Sequence, residues 1–444
     1  MKLPVAPPPM RDLVGRNHGQ IAKIFEARIG AEIRGHYEHW DHLRHLTPPP
    51  GLDTEAWWLG IKFARQALSR DLPLRDKHGS PFRIVLADSL QRRLFLVARD
   101  ASGALQGDGG IPSEAMRERY LVRSLIEEAM TSSQLEGAAT TTQVAKEMLR
   151  SGRPPQDYGE RMIVNNYRAM TELKRWLDRP LAPATVFEIH RMLTDGTLKD
   201  PGSAGRFRTP TEDIVVEDET GTVLHVPPGA HELPARLQAL CDFANQGDSD
   251  EHFIHPVVRA IIVHFQIGYD HPFVDGNGRT ARALFYWSML RSGFWMTEYF
   301  SISSILRQAP AQYSKSYLYT ETDESDATYF VSHQLDVLLK AIAGVHGYIA
   351  RKQRAHAEAE TLLKPGSKLA RTLNHRQRAL LLNALRHPGK GFSIAVHQRT
   401  HAIAYDTART DLLGLVNARL LQQEKRGKAL VFHARPDLGD RLRR

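Results

Sequence analysis

The stretch that follows Gly268, YDHPFVDGNGRTARALFYWSMLRSGF, constrains this chain more than any other. Helical spacing leads into it. Pro256 stands at a first helical position, Val257, Ile261, His264 and Phe265 share a face, and the periodicity stops at Gly268. Two glycines then flank Asn277, and Arg279 and Arg282 fall three apart at the start of a second amphipathic helix that Gly293 closes. Glycines let backbone N–H groups turn toward a ligand, the following helix offers its positive end, and two arginines on one face can grip phosphate oxygens in bidentate fashion. The stretch is an anion site in outline. Asp275 adds a hard carboxylate, a poor metal site alone but, with phosphate oxygens, the usual way to hold Mg²⁺. His271 can act as base, because a free imidazole titrates near about 6.5 and takes a proton from an attacking hydroxyl at neutral pH. Singly, a histidine before proline and an Asp-Gly pair are turn residues and two helix arginines a solvated face; their combination is what carries chemistry.

Composition bounds the rest. At roughly 100–200 residues per domain, the 444 residues suit two to four domains. The single thiol, Cys241, excludes an internal disulfide scaffold and a cysteine metal cluster, and fits a cytoplasmic setting. The N-terminus MKLPVAPPPMRD has prolines where a signal peptide needs an apolar core, and no apolar run is long enough to span a bilayer, so neither export nor a membrane partner is expected. The net charge of +9 is uneven: residues 351–444 carry 20 Lys plus Arg against 7 Asp plus Glu, whereas residues 1–350 are net negative. A basic tail of this kind raises a nucleic-acid partner for the C-terminal piece, against a plain solvated face.

Element signals divide the chain into three. Residues 1–110 read as an N-terminal helical unit, with helical periodicity from Gly15 to His45, a Pro48–Gly51 break, and a second helix capped at Asp53 or Thr54 whose Trp57 and Trp58 belong to the core. Arg83 to Val97 mixes β-branched residues with charges, and Gly103 to Gly110 is a glycine-rich linker. Residues 111–350 are mainly helical, with helices predicted from Ser113 to Met130, Thr142 to Arg150 and Tyr158 to Trp176. Between Gly205 and Pro228, two short β-branched runs around an acidic turn ending in Gly221 predict a hairpin. Residues 370–444 follow a second linker. Their order is helix, Pro-Gly break, helix, helix, basic turn and strand, which is that of a winged helix-turn-helix.

The run from His271 to Arg282 matches, at every specified position, the His-Pro-Phe-x-Asp/Glu-Gly-Asn-Gly-Arg-x-x-Arg signature of the Fic (filamentation induced by cAMP) family. The resemblance extends outward at falling specificity. The hairpin of residues 208–228 stands where the family has a flap that docks a target segment by strand addition. Ser132-Ser133-Gln134-Leu135-Glu136-Gly137 resembles the family's inhibitory motif, so the chain is similar to the subclass with an inhibitory helix, here about residues 125–137, N-terminal to the core. Residues 37–65 resemble leaders of bacterial Fic proteins.

The resemblance implies a fold and a chemistry. The fold is mainly α: a helical Fic core with a β-hairpin flap, an N-terminal helical unit and a C-terminal winged helix-turn-helix. His271 would deprotonate the target hydroxyl, Asp275 would bind Mg²⁺, Gly276, Asn277 and Gly278 would form the anion hole, Arg279 would hold the phosphates of ATP, and Arg282 would orient the γ-phosphate. Glu136, with Ser132 in the same motif, would pair with Arg282 and inhibit. Tyr313 is a candidate for the nucleotide pocket, although the family's downstream Tyr-Tyr and Ala-Asn signals are absent from YSKSYLYTETDESD. The implied activity is protein adenylylation on a hydroxyl-bearing target, including the chain itself, with a homodimer admissible. Removal of AMP, and a DNA-binding regulator whose core senses nucleotide, stay open beside it. Phosphotransfer is disfavoured because the related Doc branch has lysine where Gly278 stands. In the tail, Arg409 on the second helix of the turn and Lys425, Arg426 and Lys428 on the wing are the candidate DNA contacts, with dimerisation or docking as the other use of such a module.

Overall fold

Asp53 ends an extended stretch and accepts the N–H of Ala56 at 2.8 Å, which starts the helix Thr54–Leu68. That helix buries Trp57, Trp58, Leu59 and Ile61 against Leu13, Ile24, Trp40 and Leu43. The computed structural model describes residues 1–102, 114–247, 253–363, 372–387, 389–426 and 429–442. The chain divides into two units, Met1–Gly103 with Arg123–Ile342, and Ala104–Val122 with Ala343–Arg444. The architecture is mainly helical.

In the first unit, the periodic stretch from Gly15 to His45 is not one helix. It forms Met10–Asn17, Ile21–Glu26 and Trp40–Leu43, because Arg28 and Arg34 both turn left-handed (φ 48° and 50°) and the chain closes a small bridge from Ile33 to His36 around the second of them. Arg83–Val97 also divides. Ile84 and Val85 end the strand Pro81–Val85, which pairs antiparallel with Ser69–Arg75, whereas Leu90, Leu94, Val97 and Ala101 recur at helical spacing and bury one side of Asp88–Ser102. Arg65, almost fully buried, ties this part to the long helix Thr328–Leu362 by donating to Tyr329 Oη at 2.7 Å, while Lys62 pairs with Asp323 at 2.8 Å.

The helix Glu114–Leu135 runs five residues past Met130, to the edge of the motif at Glu136. Thr142–Ser151 and Tyr158–Glu172 follow, each with a side-chain cap, and Leu173–Trp176 tightens into a 3₁₀ turn. Val216–Glu217 and Val223–His225 pair antiparallel, so the hairpin forms where the β-branched runs predict it. Pro256–Asp270 has Pro256 in its first turn and continues two residues beyond Gly268. Asn277–Arg291 buries Ala281, Leu284, Phe285, Trp287 and Met289 on all sides, which makes it the centre of this unit. Among the described residues no helix is long and apolar enough to cross a membrane.

In the second unit, His375–Arg386, Ile394–His401 and Tyr405–Asn417 pack Leu380, Leu381, Leu412 and Leu415 against Phe392, Leu421 and Phe432 of a three-stranded antiparallel sheet. Ala429–Ala434 is its central strand, flanked by Gly391–Ser393 and Leu421–Arg426. Arg409 and Lys425 are exposed, Arg426 ends the strand Leu421–Arg426, and Lys428 falls outside the described residues. Asp411, buried at 5% exposure, holds the helices together: it accepts from Asn374 Nδ2 and Arg376 Nε, both at 2.7 Å, with His397 Nε2 at 3.2 Å. Burial raises its carboxyl pKa, but the bonds from Arg376, Asn374 and His397 outweigh that and hold it below the ordinary range. Its contribution is therefore complete above the unfolded aspartate pKa and is lost as pH falls through the lower folded value. Asp411→Ala strands Arg376 and His397, and should cost this unit about 3 kcal/mol, read in hydrogen exchange of Tyr405–Asn417 on the full chain; unchanged exchange would show that the carboxylate carries no stability.

Candidate active site

The last turn of Pro256–Asp270 delivers His271. Its N–H closes on the Ile267 carbonyl at 3.1 Å, and the residue then turns left-handed (φ 45°, ψ 57°) into Pro272, which cannot donate to continue the helix. His271 Nδ1 lies 3.1 Å from the Gly268 carbonyl. A carbonyl only accepts, so Nδ1 carries the proton and the lone pair of the neutral ring is on Nε2. Burial pushes the imidazole pKa down, the Gly268 carbonyl pulls it up, and nearby His225 lowers it again; the net direction is below the ordinary value. At neutral pH this is a base without a proton to lose first.

The hairpin segment is clamped to this turn at both ends. Arg208 donates from its backbone N–H to the Pro272 carbonyl and from Nε to the His271 carbonyl, each at 2.8 Å, and from Nη2 to the Pro228 carbonyl. His225 Nε2 donates to the Tyr269 carbonyl at 2.7 Å. The hairpin is thus fixed relative to His271 chiefly by the Arg208 and His225 side chains bonding to backbone carbonyls, contacts that do not depend on what either strand presents to solvent.

The loop between the two helices is held from inside. Asn277 accepts the Phe273 N–H at 2.9 Å and returns its Nδ2 to the Phe273 carbonyl at 2.8 Å. His190 accepts the Gly205 N–H on Nδ1, which leaves Nε2 to donate to the Asp275 carbonyl at 2.8 Å, and its ring stacks on Phe273. Burial takes the His190 pKa down to about 4, so it serves as a neutral strut. Gly276 has φ 84°, and a Cβ there would stand 2.7 Å from Thr194 Cγ2; no other residue fits this turn without displacing Thr194.

Arg279 is wholly buried; Nη1 donates to the Leu193 carbonyl at 2.9 Å, Nη2 lies 3.4 Å from Asp275 Oδ1, and Nε has no hydrogen-bond partner among the described residues. Asp275 itself is 42% exposed. Arg282, 2% exposed, donates from Nε to Ser132 Oγ at 2.8 Å and from Nη2 to the Ser132 carbonyl at 3.0 Å and Glu136 Oε1 at 2.9 Å. Burial raises the Glu136 pKa, but Arg282 and then Arg279 outweigh it, so the net shift is downward and the carboxyl is ionised at neutral pH. A Cβ on Gly278 would fall 2.2 Å from Glu136 Oε1, so the carboxylate rests against the first turn of Asn277–Arg291, where a helix favours an anion.

Tyr313 lies deeper. Its Oη is 2.7 Å from His264 Nε2 and 3.4 Å from Tyr317 Oη, and burial raises its pKa against the opposing charge of Arg282. The structure thus brings His271, Asp275 to Arg282, Ser132, Glu136 and Tyr313 into the first unit, while Arg409 and Lys425 belong to the second. Sequence reasoning missed His190 and the clamping role of Arg208, whose contacts span 85 and 63 residues and carry no spacing signal. It also missed exposed Tyr158, whose hydroxyl sits in the field of Asp275, Arg279 and Glu136.

The donor set suits a phosphate chain. Among the described residues no three His, Cys, Asp or Glu converge as a metal site, so Asp275 would hold Mg²⁺ only together with phosphate oxygens, and its exposed carboxylate and the spare Arg279 Nε fit that use.

Residues 180–289 match the Fic/DOC family. A protein adenylyltransferase Fic of Nematostella vectensis is 36% identical over 109 residues, covering 24% of this chain and 23% of the relative. Its counterpart in Drosophila virilis is 27% identical over 208 residues, covering 46% and 40%. The chain thus spans less than half the length of these relatives. Among solved structures, Fic-1 of C. elegans aligns at TM-score 0.49 and 22% identity over 79% of this chain and 90% of that one. A Fic family protein of Desulfovibrio desulfuricans aligns at 0.48 and 17%, over 78% and 95%. The part of the chain that resembles the Fic/DOC family is thus residues 180–289, which hold the signature from His271 to Arg282.

Proposed function

We propose that this chain is a protein adenylyltransferase that moves AMP from ATP to a hydroxyl side chain of a target protein and is held in check by Glu136. The observation that carries this reading is His271, proton on Nδ1 and lone pair on Nε2, beside a glycine-rich helix start backed by two buried arginines. His271 Nε2 takes the proton of the target hydroxyl as its oxygen attacks the α-phosphorus; the bond to the β-phosphate oxygen breaks, and pyrophosphate leaves. The backbone of Gly276, Asn277 and Gly278 steadies the charge that develops, Arg279 grips the phosphates, and Arg282 orients the γ-phosphate. Mg²⁺, held by Asp275 with the phosphates, would supply charge neutralisation.

Two supports are local. A lysine at position 278, the mark of the phosphorylating branch, would drive its Cβ into Glu136, so this site suits nucleotidyl transfer. The clamped hairpin, with Val223 exposed, is suited to dock a target segment by strand addition, from another protein or a second copy of this chain. Tyr313, bonded to His264 behind Arg282, would border the nucleotide.

The second unit supports a further partner. Helices Ile394–His401 and Tyr405–Asn417 are joined by a tight turn through left-handed Ala402, as in a winged helix-turn-helix, and Arg409 and Lys425 are exposed. We read it as a duplex-DNA surface. Filter binding with random duplex should weaken steeply with salt and flatten in Arg409→Ala; retention that ignores salt would assign the module to protein docking. The single thiol is buried and suits the cytoplasm.

His271→Ala should leave ATP binding intact while AMP transfer falls roughly 10²–10⁴-fold; near-normal transfer would remove the assignment. The base works only unprotonated and its pKa is lowered, so the acid limb of the kcat/KM profile should have its midpoint below the ordinary imidazole value, with no loss of rate at neutral pH.

Glu136→Gly should raise adduct formation with α-labelled ATP. Arg282→Ala should abolish it even when combined with Glu136→Gly, because the arginine serves the productive pose as well as the inhibited one. A double variant as active as Glu136→Gly alone would confine Arg282 to the inhibitory contact.

A further inference from the structure

Glu128 is a carboxylate buried at 2% exposure that the proposed chemistry does not use. It stands two turns before Glu136, with Ser132 midway, so the three residues follow a spacing of four along one side of the helix Glu114–Leu135 and its end. The facing helix Asn277–Arg291 repeats that spacing at Gly278, Arg282 and Tyr286. The two rows meet as a ladder. Tyr286 Oη donates to Glu128 Oε2 at 2.9 Å, Arg282 donates to Ser132 Oγ and Glu136 Oε1, and Glu136 rests against Gly278. The far end of the ladder is the best satisfied. Glu128 Oε2 also accepts from Ser301 Oγ at 2.7 Å and the Ser303 N–H at 3.1 Å, and Oε1 accepts from Ser303 Oγ. Donors from two separate segments thus converge on one charge, whereas the Glu136 carboxylate at the other end is a quarter exposed and, among the described residues, accepts from Arg282 alone.

We propose that Glu128 is a positioning residue that sets the register of the inhibitory helix, so that Glu136 reaches Arg282 only while Glu128 stays seated on Tyr286, Ser301 and Ser303. This rests on the reading of Glu136 as inhibitory and deepens it. A buried carboxylate leaves such a seat only at the cost of its charged hydrogen bonds, and a shift of the helix along its axis by even one residue would carry Ser132 and Glu136 off the guanidinium together. The functional motif then begins one repeat earlier, as Glu-x-x-x-Ser-x-x-x-Glu from Glu128 to Glu136.

Glu128→Gln keeps the shape but replaces one acceptor oxygen by a donor that faces donors. The full chain carrying it should form AMP adducts with Mg·ATP roughly tenfold faster than wild type, and residues 123–135 should exchange backbone hydrogens faster without nucleotide. Combined with Glu136→Gly it should add nothing, since both act through the same contact. Ser303→Ala, which removes the Oγ bond to Oε1 and leaves the backbone N–H and the carboxylate in place, is the second variant should Glu128→Gln fold poorly; it should move both readouts in the same direction. If Glu136→Gly activates while Glu128→Gln and Ser303→Ala change neither adduct rate nor exchange, the positioning role is overturned. A gain from Glu128→Gln on top of Glu136→Gly would overturn it as well. If Glu136→Gly itself does not activate, the inhibitory reading fails first, and faster exchange alone would then show Glu128 to be a structural anchor.

Discussion

A guanidinium buried at 2% exposure must keep an anion within reach, and Arg282 is such a group at the centre of the first unit. Ser132 supplies two neutral acceptors, but the charge is met by Glu136 at 2.9 Å. In the proposed reaction the γ-phosphate needs the same partner. On that proposal the two anions exclude each other from one place, and control of the site reduces to which of them holds Arg282. Nothing has to unfold for the exchange, because Glu136 lies at the end of its helix, beside the left-handed Gly137, and is a quarter exposed.

The rest of the architecture keeps that contest geometrically sharp. Helix Pro256–Asp270 ends so that His271 is aimed by its own carbonyl contact to Gly268, Asn277 locks the loop onto Phe273, and neutral His190 braces it from behind. Gly276 and Gly278 leave room where Thr194 and Glu136 approach. These are rigid, backbone-anchored elements, so a ligand finds its charges in place rather than having to order them.

The sequence made the site far more legible than its supports. Residues 271–282 are contiguous, and their spacing alone places a helix end, a glycine turn and two arginines on a new helix. The hairpin was readable because β-branched runs interrupt helical periodicity. Beyond these, local pattern loses its hold. Gly15 to His45 has helical spacing, yet left-handed backbone at Arg28 and Arg34 breaks it, a preference set by packing rather than by residue type. Arg83 to Val97 mixes a strand ending and a helix beginning, which no single period describes. His190, Arg208 and Glu128 act through contacts across 63 to 175 residues, which only the folded chain can show.

The central claim is that Glu136 and a nucleotide phosphate compete for Arg282. It is tested most directly by crystal structures of the wild-type and Glu136→Gly proteins with Mg²⁺ and a non-hydrolysable ATP analogue. The account predicts that in Glu136→Gly the γ-phosphate lies on the Arg282 guanidinium with the α-phosphate in line with a hydroxyl approaching His271 Nε2, and that in the wild type the arginine stays on Glu136 with the α-phosphate out of line. The same nucleotide pose in both proteins, with Arg282 still bonded to Glu136 in the wild type, would contradict it.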